Sequence, residues 1–537
     1  MSVKRTVIFY SFMLFSFAAL VLRLYYIIQN NSEIYAAQSA NSYRLVIDKS
    51  RGTIYDRNLV PLVSDEKKYK IAVLPSIESK TYLHSVLSEE DFSAISDNFT
   101  SGKPFTFESD TFIEEREDVK VYLIRKRYSD NPLAVHFIGY CDSTLSKGIT
   151  GIEKAYDEIL SAQSASLSLS YPIDAMGRAL PGVEPIVWDE GYQSDAGIAL
   201  TLDAEIQKIA QSASDLLPNN GSILITDIES GEILAGVSLP EYDRNDIAQS
   251  INSDDSSLLN RNLCAYNIGS TFKIVVSAAA LSKNISSSFG HNCKGNLDIE
   301  GMLFNCHKEE GHGYLTMKTA FSNSCNPYFI RLGLSVGKER IISMSSAMGL
   351  GSAIELCDGV VAAAGNLPSK DDIKSSGDLA NISFGQGSLM ATPVHIAKII
   401  SIVANGGYLV EPTLVLGEVS DDGRIINSSE SKEKVRILSA EVANTIKEYM
   451  IYTVTSGTGR SANPQALGAG GKTASAETGW TVDGQALVQA WFSGFYPAEK
   501  PKYAIVVLCE GGNSGASSCA PVFKKICDLL YEKGFVN

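Results

Sequence analysis

The sequence predicts an α+β protein behind an N-terminal membrane helix, and three observations carry that prediction. An apolar run over 7–28 follows Lys4 and Arg5, enough helix to cross a hydrocarbon core of about 30 Å. Two short apolar strands come early, over 222–227 and 232–237, and three more come late, over 469–476, 490–496 and 503–509. Ala-rich and amphipathic helical runs are inserted between the two groups. A chain of 537 residues exceeds one ordinary core, so two or three domains are expected.

Composition narrows the function classes. Hydrophobic residues make up 45% and charged residues 20%, the proportions of a globular protein. A formal net charge of -15 argues against nucleic-acid binding and gives no reason to expect tight binding to anionic lipid headgroups. The positive cluster ahead of the apolar run predicts a single-pass protein of the cell membrane, with a cytoplasmic tail over 1–5, an anchor over 6–28 and the remainder outside. Arg23 can snorkel to the outer headgroups, and Tyr25 and Tyr26 suit the interface. A cleavable signal peptide is the rival reading. The run is long for an h-region and no clear small-x-small site follows it, which favours a retained anchor. Nine cysteines are too sparse for a disulfide scaffold in a chain of this size.

Past the anchor, 30–42 reads as a helical stalk. Arg51-Gly52 reads as a strand ending in a turn, Thr53-Ile54-Tyr55 as a short strand and Asp56-Arg57-Asn58 as the next turn. From Lys67 to about Gln193, short apolar runs alternate with charged and Ser-rich stretches. The charge runs at 89–91 and 114–118 read as solvated helix faces. A lone His136 on an apolar segment reads as structural. Over 198–210 a strand enters an amphipathic helix with Asp203 as its cap. The strands at 222–227 and 232–237 flank Ile228-Glu229-Ser230-Gly231, a tight hairpin turn. A closing helix is expected over 520–534, packed on the sheet.

The chemistry centres on Asn267-Ile268-Gly269-Ser270-Thr271-Phe272-Lys273, which runs into an Ala-rich helix. Ser270 is expected in its first turn and Lys273 one turn on, on the same face. A Ser hydroxyl needs a base, and a Lys amine serves once its pKa is lowered. A helix start adds free N–H groups where an oxyanion would form. Alone, Ser-x-x-Lys is weak evidence, its bland reading being an exposed Lys near a helix cap. Its company is Ser324-Cys325-Asn326 and, much later, Lys472-Thr473-Ala474-Ser475.

These three elements in this order resemble the signature of penicillin-binding proteins and serine β-lactamases. Arg51-Gly52-Thr53-Ile54-Tyr55-Asp56-Arg57-Asn58, shortly after one anchor, resembles the opening motif of class B penicillin-binding proteins. His136-Phe137-Ile138-Gly139-Tyr140 and Gly151-Ile152-Glu153-Lys154-Ala155-Tyr156 also look like motifs of that family. The resemblance implies an elongated pedestal domain over 29–195. It further implies a transpeptidase domain over 196–537, with a five-stranded antiparallel sheet flanked by helices. Carried over, Ser270 is the acylated nucleophile, Lys273 its base, and Ser324 a proton relay to the leaving amine. Asn326 holds Lys273 and the substrate amide. Lys472 and Thr473 face the peptide carboxylate, with Lys472 also depressing the pKa of Lys273. The N–H groups of Ser270 and Ser475 form the oxyanion hole. Ser383-Phe384-Gly385-Gln386-Gly387 resembles a further motif near the cleft and is read as structural. The activity implied is a D,D-transpeptidase that cross-links peptidoglycan stem peptides and is blocked by β-lactams, with no cofactor required for the chemistry. A multi-span glycan polymerase is the implied partner.

Two departures and one extra constellation qualify this reading. Where the family usually has Gly, this chain has Ala474, whose methyl would narrow the cleft or alter substrate choice. Ser475 stands where Thr is frequent and keeps the hydroxyl. A β-lactam-binding sensor or resistance protein of the same fold stays open as an alternative, although a multi-span signalling region would favour it and one span is found. A weakly catalytic assembly partner is the other, kept open by Ala474. Between Ser270 and Ser324 lie Cys293, Cys306, His312 and Cys325, three thiols and an imidazole of the kind that closes a tetrahedral zinc site. Some relatives carry zinc in this loop, with the middle residue of the Ser-x-Asn element as a ligand. A Cys293–Cys306 disulfide and unpaired buried thiols are the other readings, and His307 is a spare ligand.

Overall fold

The apolar run folds as one helix, Val3–Gln29, and within it Lys4–Tyr26 is long and apolar enough to cross a membrane. No part of that span is covered by protein, so its apolar side chains require lipid around them. The computed structural model describes every residue except 1–2, 30–41, 65, 143, 175, 177, 181, 193–194, 288, 429–432 and 483–484. Apart from Ser42, the stalk expected over 30–42 therefore lies outside the described residues. The chain divides into two compact units. One comprises residues 1–51, 64–127 and 163–194, the other residues 52–63, 128–162 and 195–537.

The first unit is built on two small antiparallel sheets. In one, Ser42–Lys49 pairs with Ser166–Pro172, which pairs with Ile186–Asp189. In the other, Glu66–Val73 lies between Phe105–Ser109 and Val119–Lys126. The helix Ile77–Val86 opens with a reciprocal Ser76/Ser79 capping box. Glu89, Glu90 and Asp91 form the first turn of the helix Glu89–Ile95, where carboxylates oppose the helix dipole. The run at 114–118 is not a helix face. Within it Arg116 bridges back to Val119, because this stretch has to turn the chain between two strands flanking the same neighbour.

The second unit takes in 52–63 and 128–162 from the stretch read as pedestal. Pairing explains it: Thr53–Tyr55 lies parallel to Gly197–Leu200, and Ile54, Leu62, Phe137, Ile138, Ile152 and Leu160 enter the main hydrophobic core. His136, in the same segment, is buried with Nε2 2.6 Å from the Ser257 carbonyl. Burial lowers its pKa to about 4, so it stays neutral and structural.

The main sheet has five antiparallel strands: β1 (Gly221–Asp227), β2 (Ile233–Leu239), β3 (Gly470–Val482), β4 (Gln485–Tyr496) and β5 (Tyr503–Glu510), in the order β2-β1-β5-β4-β3. Strand alternation supplies two cores. Ile223, Ile225, Ile505, Val507 and Phe492 face one, while Leu224, Val506 and Trp491 face the other. On the first side lie α1 (Ala204–Ser214), whose Asp203 cap accepts from the N–H of Glu205 and Ile206, and the closing helix Ala520–Glu532. That helix contributes Val522, Phe523, Ile526, Cys527 and Leu530 at helical spacing. On the second side lie α2 (Lys273–Ser282), α3 (Asn326–Val336), α4 (Pro393–Ala404) and α5 (Ala440–Ser456). All twelve residues of α4 are buried, its Lys398 paired with Glu411 at 2.8 Å and the His395 ring held between Thr392 and the Ser352 carbonyl, as buried polar groups require. Both β3 and β4 run further than the sequence suggests, meeting beyond residue 476 in a long hairpin.

Candidate active site

Ser270 is presented by a tight turn. Tyr266–Asn267 pairs with Met390–Ala391, and the Trp491 indole N–H donates to the Asn267 carbonyl at 2.9 Å. Gly269 then takes φ +49°, a left-handed conformation that disfavours side chains, and a Cβ there would lie 3.0 Å from that of Ala476. Residues Gly269–Phe272 form a 3-10 turn and α2 starts at Lys273. Ser270 therefore sits one turn before the α-helix that the sequence was expected to start at this point. The Ser383–Gly387 stretch closes on the same turn: a Cβ on Gly385 would meet the Gly269 carbonyl at 1.8 Å, so only glycine permits the approach.

Three further elements converge behind this turn. The Lys273 ammonium nitrogen is buried and donates to the Ser324 carbonyl (2.7 Å), to Asn326 Oδ1 (2.8 Å) and to Ser324 Oγ (3.1 Å). Lys472 Nζ, equally buried, lies 3.0 Å from the same Ser324 Oγ and 2.7 Å from the Thr473 carbonyl. One hydroxyl thus spans two amines that come from positions about 200 residues apart in the chain. Ser324 is held at φ +53°, a strained conformation for a side-chain-bearing residue that persists only where surroundings enforce it. Asn326 also donates to the Asn305 carbonyl at 3.4 Å.

Burial sets the electrostatics. Lys273 is pulled down to about 7, chiefly by desolvation, while nearby thiols of Cys325 and Cys306 pull the other way. Lys472 is lowered well below its usual value, first by desolvation and then by Lys273. Like-charge repulsion between the two amines acts in the same direction and is secondary to burial. Desolvation dominates because both nitrogens are enclosed, with carbonyl, amide and hydroxyl oxygens as their hydrogen-bond partners.

Along β3, Thr473 Oγ1 lies 2.6 Å from Thr458 Oγ1. Ser475 is exposed, its Oγ accepting from the Gly515 N–H at 3.3 Å. Ala474 stands between these two on the strand. Its residue is only 3% exposed and belongs to the main core, beside its β4 partner Trp491. Period-2 alternation points its methyl away from the face shared by Thr473 and Ser475 and onto the face of Lys472 and of Ala476, which lies beside the Gly269 turn.

The Cys/His constellation assembles from two small hairpins. Cys293 ends a strand, His291–Cys293, that pairs with Gly313–Leu315. Cys306 follows the hairpin of Asn296–Ile299 and Met302–Asn305, and its N–H donates to the Gly295 carbonyl at 2.8 Å. Cys325 caps α3. The donor atoms of Cys293, Cys306, His312 and Cys325 all lie within 4.8 Å of one another, with Cys306 Sγ 3.4 Å from His312 Nδ1. No disulfide joins Cys293 to Cys306. A hydrogen bond between Cys325 and Cys306 lowers the pKa of Cys306 and raises that of Cys325.

Residues 221–528 match the family model of the penicillin binding protein transpeptidase domain. That match spans more than half of the chain and contains every catalytic candidate. The chain belongs to the class B penicillin-binding proteins. It is 27% identical over 543 residues to stage V sporulation protein D of Bacillus subtilis, covering 93% of this chain and 80% of that protein. It is 24% identical over 614 residues to the peptidoglycan D,D-transpeptidase MrdA of Salmonella typhimurium, covering 98% and 96%. A solved peptidoglycan synthase complex that coordinates polymerization and crosslinking superposes with a TM-score of 0.71, covering 98% of both chains at 22% identity.

In this penicillin-binding protein two supports escaped sequence reasoning. Thr458 lies in Ser456-Gly457-Thr458-Gly459, its N–H donating to the Ser322 carbonyl at 3.0 Å. It thereby braces the Ser324 loop as well as Thr473; the Gly-Thr-Gly pattern after a helix was the available signal. Arg261, 2% exposed, donates to Glu510 Oε1 at 3.0 Å, and the Tyr266 hydroxyl donates to the same oxygen at 2.8 Å. This pair ties the strand leading into Ser270 to the end of β5. Nothing in the local pattern around Arg261 announces a partner 249 positions away.

Proposed function

We propose that this chain is a serine D,D-transpeptidase that cross-links peptidoglycan stem peptides, with the chemistry carried by Ser270. The observation that carries the reading is the pairing of two desolvated lysines on one Ser324 hydroxyl beside the Ser270 turn, in a chain of this family. Neutral Lys273 takes the Ser270 proton as Oγ attacks the penultimate D-alanine carbonyl. The N–H groups of Ser270 and Ser475 receive the oxyanion, worth about 3 to 4 kcal/mol per donor in hydrolases. The C–N bond breaks as Ser324, which can donate and accept, passes a proton to the leaving D-alanine amine. Lys472 and Thr473 face the terminal carboxylate. An amine from a neighbouring strand then attacks the acyl-enzyme, and Ser270 regains its proton. A β-lactam acylates the same hydroxyl and stays.

An anchor over 6–28, a pedestal drawn from 29–195 and a catalytic domain over 196–537, with 52–63 and 128–162 belonging to the same compact unit as the latter, make up the working protein in this reading. Lys4 and Arg5 support a cytoplasmic N-terminus with the catalytic domain outside the membrane. The relative solved within a synthase complex supports a multi-span glycan polymerase as partner, which co-purification with the full chain checks. Purified full-length protein is expected to be labelled covalently by a fluorescent penicillin and to release D-alanine from a stem pentapeptide. Labelling of intact cells by a membrane-impermeant penicillin is expected for the outward orientation. No labelling at all would sink the reading, and labelling without release would favour a drug sensor.

Cys293, Cys306, His312 and Cys325 fit a structural zinc. Four donors gathered within 4.8 Å, one thiol already acidified, match the spacing a tetrahedral ion with bonds of about 2.0–2.3 Å draws together. Such an ion would tether the hairpins to Cys325 and so steady Ser324 and Asn326 on either side of it; the acyl transfer itself needs none of it. Elemental analysis of freshly purified protein is expected to find one zinc per chain and a clear loss in Cys325→Ser. Zinc-free wild type ends the idea.

A further inference from the structure

β3 is the edge strand of the main sheet, and beyond the catalytic segment its edge is open: Ser475, Glu477, Gly479, Trp480 and Thr481 are exposed. An unpaired edge is a template for an extended peptide. The strand does not simply continue. Its register with β4 shifts between Glu477 and Thr481, and Gly479 takes φ +79° with open space around it. Thr478 Oγ1 donates to the Leu487 carbonyl at 2.9 Å and accepts from the Trp480 N–H at 3.2 Å. Bulges of this kind re-aim a side chain, and here the indole of Trp480 is turned out, 74% exposed. A tryptophan this exposed gains nothing from the core, and it stands on the strand that carries Lys472, Thr473 and Ser475.

We propose that Trp480 is a platform for the sugar that carries the donor stem peptide, a specificity-determining contact that rests on the transpeptidase reading above. Trp480 lies seven positions beyond Thr473, about 23 Å of straight strand at roughly 3.3 Å per residue and somewhat less with the bulge. A pentapeptide laid antiparallel on this edge, its carboxylate at Thr473, extends about 17 Å. It ends short of the indole. The sugar attached to its first residue comes opposite Trp480, where the C–H face of a pyranose lies on an aromatic ring with its hydroxyls still in water.

The test compares two donors, a free pentapeptide and the same peptide on its disaccharide, with full-length protein in detergent and D-alanine release as readout. Wild type is expected to show a KM roughly three- to ten-fold lower for the sugar-linked donor. Trp480→Ala is expected to erase that advantage through KM and not kcat, and Trp480→Phe to restore part of it. The rate of labelling by fluorescent penicillin reports an intact acylation site in each variant. Equal losses on both donors, or an undiminished advantage in Trp480→Ala, overturn the proposal. Wild type releasing D-alanine from neither donor overturns the transpeptidase reading itself, and with it this one.

Discussion

Replacing Ser270 by Ala is expected to abolish covalent labelling by fluorescent penicillin and to lower D-alanine release from a stem pentapeptide by roughly four to six orders of magnitude. Removing one oxygen deletes the only bond-forming atom and leaves the rest of the site standing. The Ser324 hydroxyl keeps both amine contacts, the Gly269 turn keeps its packing on Ala476 and Gly385, and Ser270 itself is only half-buried. Thermal stability should therefore move little. Gel fluorescence and a D-alanine assay check the result. Labelling of the variant equal to wild type would move the nucleophile elsewhere and dissolve the mechanism.

Lys273→Met should be the second largest effect, about two to four orders of magnitude in the acylation rate. The methionine fills the same enclosed space but accepts no proton. The pH dependence sharpens the test. Burial holds the amine near 7, and only its neutral form is a base, so the wild-type acylation rate is expected to fall about tenfold per pH unit below that value and to level off above it. In Lys273→Met the residual rate should lose this acid limb. A limb that survives the substitution but vanishes in a Lys472 variant would transfer the base to Lys472, whose pKa is also depressed. Acylation of Lys273→Met at the wild-type rate would remove Lys273 from the chemistry.

Much of the fold could be read locally. Asp203 as a helix cap, the hairpin joining β1 and β2, the three late strands and the closing helix rest on short-range rules of capping, turn chemistry and period-2 alternation. Misreadings fell where neighbours overrode the local signal. The charges at 114–118 look like a solvated helix face, yet they occupy a turn between two strands. The length of the β3–β4 hairpin, and the tryptophan it exposes, were hidden because a polar, Gly-containing stretch carries no strong strand pattern.

By itself the sequence determined the chain's inventory: one membrane-length apolar helix, an α+β order of elements, and a serine, two lysines and a serine–asparagine pair in the order of a known catalytic set. These are properties of neighbouring residues, and neighbours interact whatever the rest of the chain does. Only the tertiary structure decided that Ser324 meets both Lys273 and Lys472, that burial more than repulsion lowers the Lys273 pKa, that three cysteines and a histidine share one small volume, and that Arg261 and the strand leading into Ser270 meet on Glu510. Distance, desolvation and charge coupling act through space, and space between residues hundreds of positions apart exists only once the sheet and its helices have closed around it.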